Sequence, residues 1–270
     1  MQYLRSIDFD SAEFGGGDGY KGKILYRGET CLLIATEVPP GALGPKNHVH
    51  PSDQLYYVVE GELTVTLGSD EHTVTAGSAV FIPAGVPHHN RNDGSVPEFH
   101  LEILAPGSVG VRPLLEPTDS TDAHGLPYAV VAPDEASIRR FEGGMTATPL
   151  LGRVQGSNHA HIYQADLPVG AAGPGLHVHA FDQFYLVLDG RLGVQVALTE
   201  FTVGPRQIAV LPAGVPHRQW NVGEGSERHL AVLTPPPEQP SSEDAPWDIG
   251  VELQSAPQNG ARLISGVAAR

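Results

Sequence analysis

Sulfur is scarce in this 270-residue chain: it has one cysteine and two methionines. The lone Cys31 excludes an intramolecular disulfide and a thiolate metal cluster. It precedes Leu32, Leu33 and Ile34, an apolar run that reads as a buried strand, so an inert core thiol is expected. Basic residues are also few, 16 against 31 acidic ones, for a formal net charge of −15. That balance repels the phosphates of nucleic acid and an anionic membrane surface. It favours solubility and by itself names no partner. No stretch reaches about 18 apolar residues, and the opening MQYLRSIDFD lacks the charged-then-apolar pattern of a secretory signal. The expectation is a cytoplasmic chain. The glycine run Gly15–Gly19 does not match a phosphate-binding spacing.

Glycine (32) and proline (24) are plentiful and aromatics form only 7% of residues, which favours turns and short strands over long helices. The length allows two domains or one large all-β unit.

A repeat decides between these. HVHPSDQLYYVVEG at His48–Gly61 recurs as HVHAFDQFYLVLDG at His177–Gly190, 129 residues later. The same offset relates Pro39 to Pro168, His88 to His217, Asn92 to Asn221, His100 to His229 and Pro106 to Pro235. An ungapped match of this length means two structural copies. Within each copy, β-branched and aromatic runs alternate with turn residues. Glu60–Gly61 and Asp189–Gly190 read as hairpin turns. Short strands at turn spacing predict a sandwich or barrel. The expected division is an N-terminal barrel with its arm over 1–112, a covering linker over 113–150 with a helical turn near Asp134–Arg140, and a C-terminal barrel over 151–270. The tail after Pro235, opening PPPEQPSSEDAP, reads as extended and solvated.

Side chains alternate along a strand, so His48 and His50 point the same way and can chelate one ion. Gln54 and Tyr56 share a face on the next strand, and His88 follows a Pro-Gly loop at the mouth of another. Three imidazole nitrogens and one amide oxygen can then converge. His177, His179, Gln183 and His217 repeat the set. The alternative is a duplicated fold that has lost its metal from one copy or both. A second pair, His159 and His161, falls outside the repeat and is expected to have no metal role.

Other repeated residues have two readings each. Asp53 and Asp182 either brace the turn or orient a ligand imidazole. Tyr56 and Tyr185 either pack the inner wall or offer a hydroxyl to substrate. Glu98, His100 and Glu102 share one strand face, and Glu102 becomes Ala231 in the second copy. They form either a polar outer face or interface, or a pocket base unique to the first copy.

With these residues in hand, the chain resembles the cupin superfamily, and specifically the bicupins. The family motif G-x5-H-x-H-x3-4-E-x6-G is matched by His48, His50, Gln54 and Gly61, and by His177, His179, Gln183 and Gly190. Its second motif, G-x5-P-x-G-x2-H-x3-N, is matched by Gly77, Pro83, Gly85, His88 and Asn92. Pro212, Gly214, His217 and Asn221 repeat it, with Gly204 displaced. The resemblance implies an all-β chain of two tandem jelly-roll barrels, each holding a metal inside. It implies one divalent transition metal per barrel (Fe, Ni, Co, Cu, Mn or Zn), with His48, His50, Gln54 and His88 as ligands in the first and His177, His179, Gln183 and His217 in the second.

Cupins commonly carry Glu where both copies have Gln. A neutral amide leaves the metal its full charge, which favours an anionic ligand. It also removes the general base credited to that Glu in quercetinase-like members. Bicupin isomerases of bacilysin-type pathways are similar in having Gln here. The leading expectation is a dioxygenase acting on a small enolic or phenolic substrate bound as its anion. The alternatives are a non-redox isomerase or cyclase and a non-catalytic binding protein. Tyr56, Tyr185, His100 and Glu102 are the candidate catalytic groups. A homodimer is compatible with the sequence.

Overall fold

The structure is a computed structural model, and it describes residues 6–8, 19–107, 128–141, 143–237, 247–252 and 262–266. Chain contacts divide it into two units. One comprises Met1–Asp10, Asp134–Pro149 and His161–Arg270; the other comprises Ser11–Pro133 and Leu150–Ala160.

In chain order the strands are β1 (Ser6–Asp8), β2 (Lys21–Arg27), β3 (Leu32–Val38), β4 (Asp53–Glu60), β5 (Glu62–Leu67), β6 (Asp70–Thr75), β7 (Ala79–Ile82), β8 (His88–Arg91), β9 (Glu98–Ala105) and β10 (Ala129–Val131). The second half adds β11 (Arg139–Arg140), β12 (Thr146–Leu151), β13 (His161–Leu167), β14 (His177–Val178), β15 (Asp182–Asp189), β16 (Leu192–Val196) and β17 (Thr199–Val203). It closes with β18 (Gln207–Leu211), β19 (His217–Asn221), β20 (Glu227–Thr234), β21 (Trp247–Glu252) and β22 (Arg262–Gly266). Among the described residues the only helical pieces are single 3-10 turns at Glu135–Ser137 and Arg153–Gln155. The fold is thus two tandem jelly-roll barrels. No helix among the described residues is long and apolar enough to cross a membrane.

The N-terminal barrel sets a sheet ordered β10-β7-β4-β9-β3-β2 against one ordered β6-β5-β8. Val38, Tyr56, Val58, Val80 and Ile82 from the first sheet pack on Leu63, Val65, Leu67 and Val74 from the second. Burying such side chains contributes about 1.5–3 kcal/mol each. The C-terminal barrel repeats the pattern with β1-β18-β15-β20-β13-β12-β11 and β17-β16-β19-β14-β21-β22. Its core includes Tyr185, Val187, Leu192, Val194, Val203 and Leu233.

Three expectations are corrected. The Gly61 and Gly190 turns do not make hairpins. β4 pairs with β7 and β9, whereas β5 pairs with β6 and β8. The chain therefore changes sheet at Gly61, and at Gly190 likewise. Gly61 holds φ +80°, and a Cβ there would lie 2.8 Å from Pro97 O. Glycine serves the corner because it alone tolerates both constraints. The arm read with the first barrel gives its strand β1 to β18 of the second. The tail is not simply solvated: β21 pairs with β14 and β22. The expected linker boundary at 112 lies outside the described residues, as does the glycine run before Gly19. The helical turn expected near Asp134–Arg140 falls on the Glu135–Ser137 turn, capped by Asp134 Oδ1 accepting from Ala136 N.

Candidate metal centres

In each barrel the first and third histidines are cross-strand partners. His48 and His88 exchange backbone hydrogen bonds of 3.0 and 2.9 Å, and His177 stands opposite His217. Side chains opposite each other share a face, and the second histidine rejoins that face two residues on. The result is two buried triads, His48–His50–His88 and His177–His179–His217, whose ligand nitrogens all lie within 4.8 Å of one another.

The third histidine depends on its loop. Asp53 Oδ1 accepts from Ala84 N at 3.0 Å, and Gly85 N donates to His50 O at 2.9 Å. Asp182 Oδ1 and His179 O hold Ala213 N and Gly214 N in the same way, at 2.9 and 2.8 Å. The repeated aspartates thus tie the Pro-Gly loop that delivers His88 or His217 to the strand that carries the glutamine. Asn92 and Asn221 secure the next turn, each donating to two or more backbone carbonyls.

The imidazoles are set up as ligands. His177, His179 and His217 direct Nδ1 to Gly175 O, Phe181 O and Val215 O at 2.7–2.9 Å. His48 and His88 do so to Lys46 O and Val86 O at 2.7 and 2.8 Å. A carbonyl only accepts, so Nδ1 carries the proton and Nε2 turns a lone pair inward. His88 Nε2 and His217 Nε2 are buried with no hydrogen-bond partner. His48 Nε2 and His50 Nε2 lie 3.1 Å apart, close to the roughly 3 Å expected of neighbouring nitrogens on one ion at about 2.1 Å each. Burial lowers all six imidazoles, with neighbouring histidines adding to it at five of them: His50 to about 4, His88 to about 3 and His177 to about 4. They are neutral near pH 7, the form that binds metal. Converging lone pairs and orphaned nitrogens fit a divalent ion.

The glutamines complete the picture differently in the two barrels. Gln54 Nε2 donates to Glu102 Oε2 at 2.8 Å, which leaves Gln54 Oε1 buried without a partner. Gln183 Nε2 donates to Tyr163 Oη at 3.4 Å, and Gln183 Oε1 lies 2.9 Å from His179 Nε2. Both of those last atoms are acceptors, an arrangement that a shared cation relieves. At offset 129, Ile34 and Glu102 correspond to Tyr163 and Ala231. Each is a cross-strand pair, Ile34↔Glu102 and Tyr163↔Ala231. The polar group that fixes the glutamine has moved to the adjacent strand between one copy and the other.

Glu102 belongs to a buried chain. Its Oε1 accepts from Thr36 Oγ1 at 2.5 Å and lies 3.4 Å from His100 Nε2; His100 Nδ1 lies 2.9 Å from Glu98 Oε2. Burial alone would lower His100, but Glu98 and Glu102 raise it to about 10. Burial alone would raise Glu102, but His100 and Thr36 bring it below the ordinary carboxylate range. The Glu102 charge raises His48, His50 and His88 in part; in the second barrel that position is Ala231, and the Asp182 charge raises His179 in part. Tyr56 is fully buried, its ring 4.9 Å from that of His100; Tyr185 sits 4.5 Å from His229. Burial pushes both phenols well above their usual value.

Beside the C-terminal triad lies a cavity open to solvent, lined by Arg139, His161, Tyr163, His177, Gln183 and Gln219 among others. Sequence reasoning missed several of these. Tyr163 is concealed because its counterpart Ile34 is apolar; His161, set aside above with His159, stands two residues before it on β13. His161 lies outside the triad, lowered to about 3 by burial and by Arg139. Gln219 and its counterpart Asn90 stand two residues after the third histidine, a signal that strand alternation carries. Both have buried carbonyl oxygens without partners.

The Cupin domain family matches residues 35–104 and 163–233. Tetracenomycin polyketide synthase protein TcmJ of Streptomyces glaucescens is 34% identical over 89 residues, 30% of this chain and 59% of that protein. Polyketide synthase CurC of Streptomyces cyaneus is 36% identical over 85 residues, 30% of this chain and 55% of that protein. The chain thus spans under two thirds of either relative's length. The solved structure of oxalate decarboxylase from Bacillus subtilis superposes with a TM-score of 0.66 at 14% identity, covering 85% of this chain and 76% of that one. At that identity it is a likeness of fold.

Proposed function

Because the chain belongs to the Cupin domain family, once in each half, we propose that it is a metal-dependent bicupin enzyme acting on a small enolic or phenolic compound, with one divalent transition metal per barrel. One observation carries this reading: in both barrels three buried imidazoles converge, and a separate acceptor holds the glutamine by its NH2. The ligands would be His48, His50, His88 and Gln54 in one barrel and His177, His179, His217 and Gln183 in the other. When bound, the metal supplies a Lewis acid for a substrate oxygen and, if redox-active, electrons.

The chain's own groups favour a non-redox cyclase or isomerase. Tyr163 lies in the cavity with its hydroxyl against Gln183, and burial keeps its proton in place at neutral pH. It can give that proton to a developing carbanion or alkoxide. Tyr185 lines the same space. Glu102 already meets Thr36, Gln54 and His100, so we assign it the orientation of Gln54 instead of proton abstraction, with His100 holding its charge. Two relatives named as polyketide synthase proteins support a place in polyketide chemistry.

The dioxygenase reading is supported by the donor set, since imidazoles with a neutral oxygen also suit Fe(II), Co(II), Ni(II) and Cu(II). Turnover of a panel of 1,3-diketones and phenols, followed in air and under argon, separates the two. Equal rates support the non-redox enzyme. Turnover that requires oxygen supports the dioxygenase. No turnover by metal-loaded protein leaves a binding protein.

A further inference from the structure

The cavity beside the C-terminal triad is bounded by residues of one unit alone. Strand β19 gives it a polar group of its own. Alternation along β19 puts His217 and Gln219 on the inward face, both buried, with the exposed Arg218 between them. Gln219 stands opposite Val194 of β16, a fully buried core residue. It is 4% exposed and lines the cavity, and its Oε1 has no hydrogen-bond partner among the described residues. Gln183 lines the same cavity but is already engaged. Its Nε2 donates to Tyr163 and its Oε1 lies 2.9 Å from His179 Nε2. One amide is thus taken up by the triad and its surroundings, and the other keeps its acceptor unused.

Room for this amide is built into the chain. Gly173 N donates to Gln219 O at 3.1 Å, and a Cβ on Gly173 would lie 2.3 Å from Gln219 Nε2 and 2.7 Å from Gln219 Cδ. Glycine is what lets the side chain rest there. The first copy repeats the device, since a Cβ on Gly44 would come 1.9 Å from Asn90 Oδ1. A buried acceptor is costly to leave unpaired, and the cavity wall indicates what pairs with it. Much of that wall is apolar, including Phe141, Met145, Phe181 and Leu233. Phe181 stacks on His179 with rings 3.8 Å apart and 8° from parallel, a flat surface beside the triad. Apolar pockets with a few placed polar groups bind small organic molecules.

We propose that Gln219 is a substrate-binding residue of the C-terminal barrel, whose Oε1 accepts a hydrogen bond from a hydroxyl of a flat, apolar-bodied phenol or enol. The inference deepens the proposed function, on which it rests, by giving the substrate a second hydroxyl besides the oxygen that meets the metal. Two residues along a strand span about 7 Å, so the hydroxyl read by Gln219 belongs several Å from the oxygen at the triad, as on two fused rings. A site that hydrogen-bonds a hydroxyl rejects the analogue lacking it, because its own buried group is then left unpaired.

The test is calorimetric titration of metal-loaded full-length protein with 2,7- and 1,6-dihydroxynaphthalene, 7-methoxy-2-naphthol and 2-naphthol. All four offer the metal a phenol, and only the two diols have a second O–H to donate. Wild type should bind the better diol about tenfold or more tightly than either mono-ol, the effect of one added hydrogen bond. Gln219→Leu should lose that margin while keeping wild-type metal content and thermal midpoint. Gly173→Ala, whose methyl group displaces the amide, should shrink the margin, and it decides the matter should Gln219→Leu fail to fold. No preference for a diol, a methyl ether that binds as well as the diol, a full margin in either folded variant, or loss of metal from Gln219→Leu would overturn the inference. Metal analysis of the same samples separates this from the parent reading. A chain that takes up no metal but keeps a Gln219-dependent margin refutes the metal enzyme and leaves the hydroxyl site standing.

Discussion

Gln54 and Gln183 occupy equivalent positions with opposite tolerances. Gln54 gives its NH2 to an ionised carboxylate, so Gln54→Glu would set two carboxylates face to face in a buried site. The expected cost is about 3 kcal/mol, read by denaturant unfolding at pH 7. Gln183 gives its NH2 to a tyrosine hydroxyl, which can donate in return. Gln183→Glu should therefore keep its metal and stay within about 1 kcal/mol of wild type. Equal effects would mean that Glu102 and Tyr163 do not set the two amides. His100 makes a second prediction at this scale. Its folded-state value of about 10 stands above the unfolded value near 6.5. Its contribution is therefore complete below about pH 6.5 and is lost as pH rises through 10. The loss is at most about 1.4 kcal/mol per pH unit from this one group. Stability measured from pH 7 to 10 should fall less steeply in His100→Gln than in wild type. The six histidines were legible because strand alternation and the repeat place them together. Tyr163 and Arg139 were not, because cross-strand neighbours and a strand from the covering segment leave no mark in spacing.

At the level of elements, the Asp53 and Asp182 contacts join two segments that each carry part of a triad. Removing the carboxylate frees the loop before the third histidine without touching a ligand. Asp182→Ala should weaken metal binding by the C-terminal barrel about 10–100-fold, measured by chelator competition, with little change in the far-ultraviolet spectrum. Unchanged affinity would make the aspartate a turn brace alone. Strands were readable in the sequence because β-branched runs such as LYYVV and FYLVL mark them. Their partners were not. A Glu-Gly or Asp-Gly step between two strands reads as a hairpin, yet Gly61 and Gly190 carry the chain from one sheet to the other, and the hairpin turns lie at Gly68–Ser69 and Ala197–Leu198. Pairing is decided by the facing sheet, which local pattern does not encode. The tail strands β21 and β22 escaped for the same reason, since β21 pairs with β14, about 75 residues earlier, and β22 pairs with β21 in turn.

Across the whole molecule, the duplication has kept the ligands and changed what surrounds them. The first barrel holds its glutamine against Glu102; the second has Ala231 at that position and holds its glutamine against Tyr163. Both triads respond to acid in one direction. His50, His88 and His177 stand at about 4, 3 and 4, below the unfolded value near 6.5. The unfolded chain takes up protons first as pH falls below about 6.5, so stability declines from there toward pH 3–4. Added metal should raise the thermal midpoint at pH 7 and lose that effect by pH 4, because protonation removes the ligands.

The most direct test of the account is the metal content of the full-length protein by mass spectrometry, for wild type, His50→Ala and His179→Ala, after reconstitution. The account predicts one ion per triad in wild type and the loss of one ion in each variant, from a different barrel each time. Wild-type protein that takes up no metal, or variants that hold as much as wild type, would contradict it.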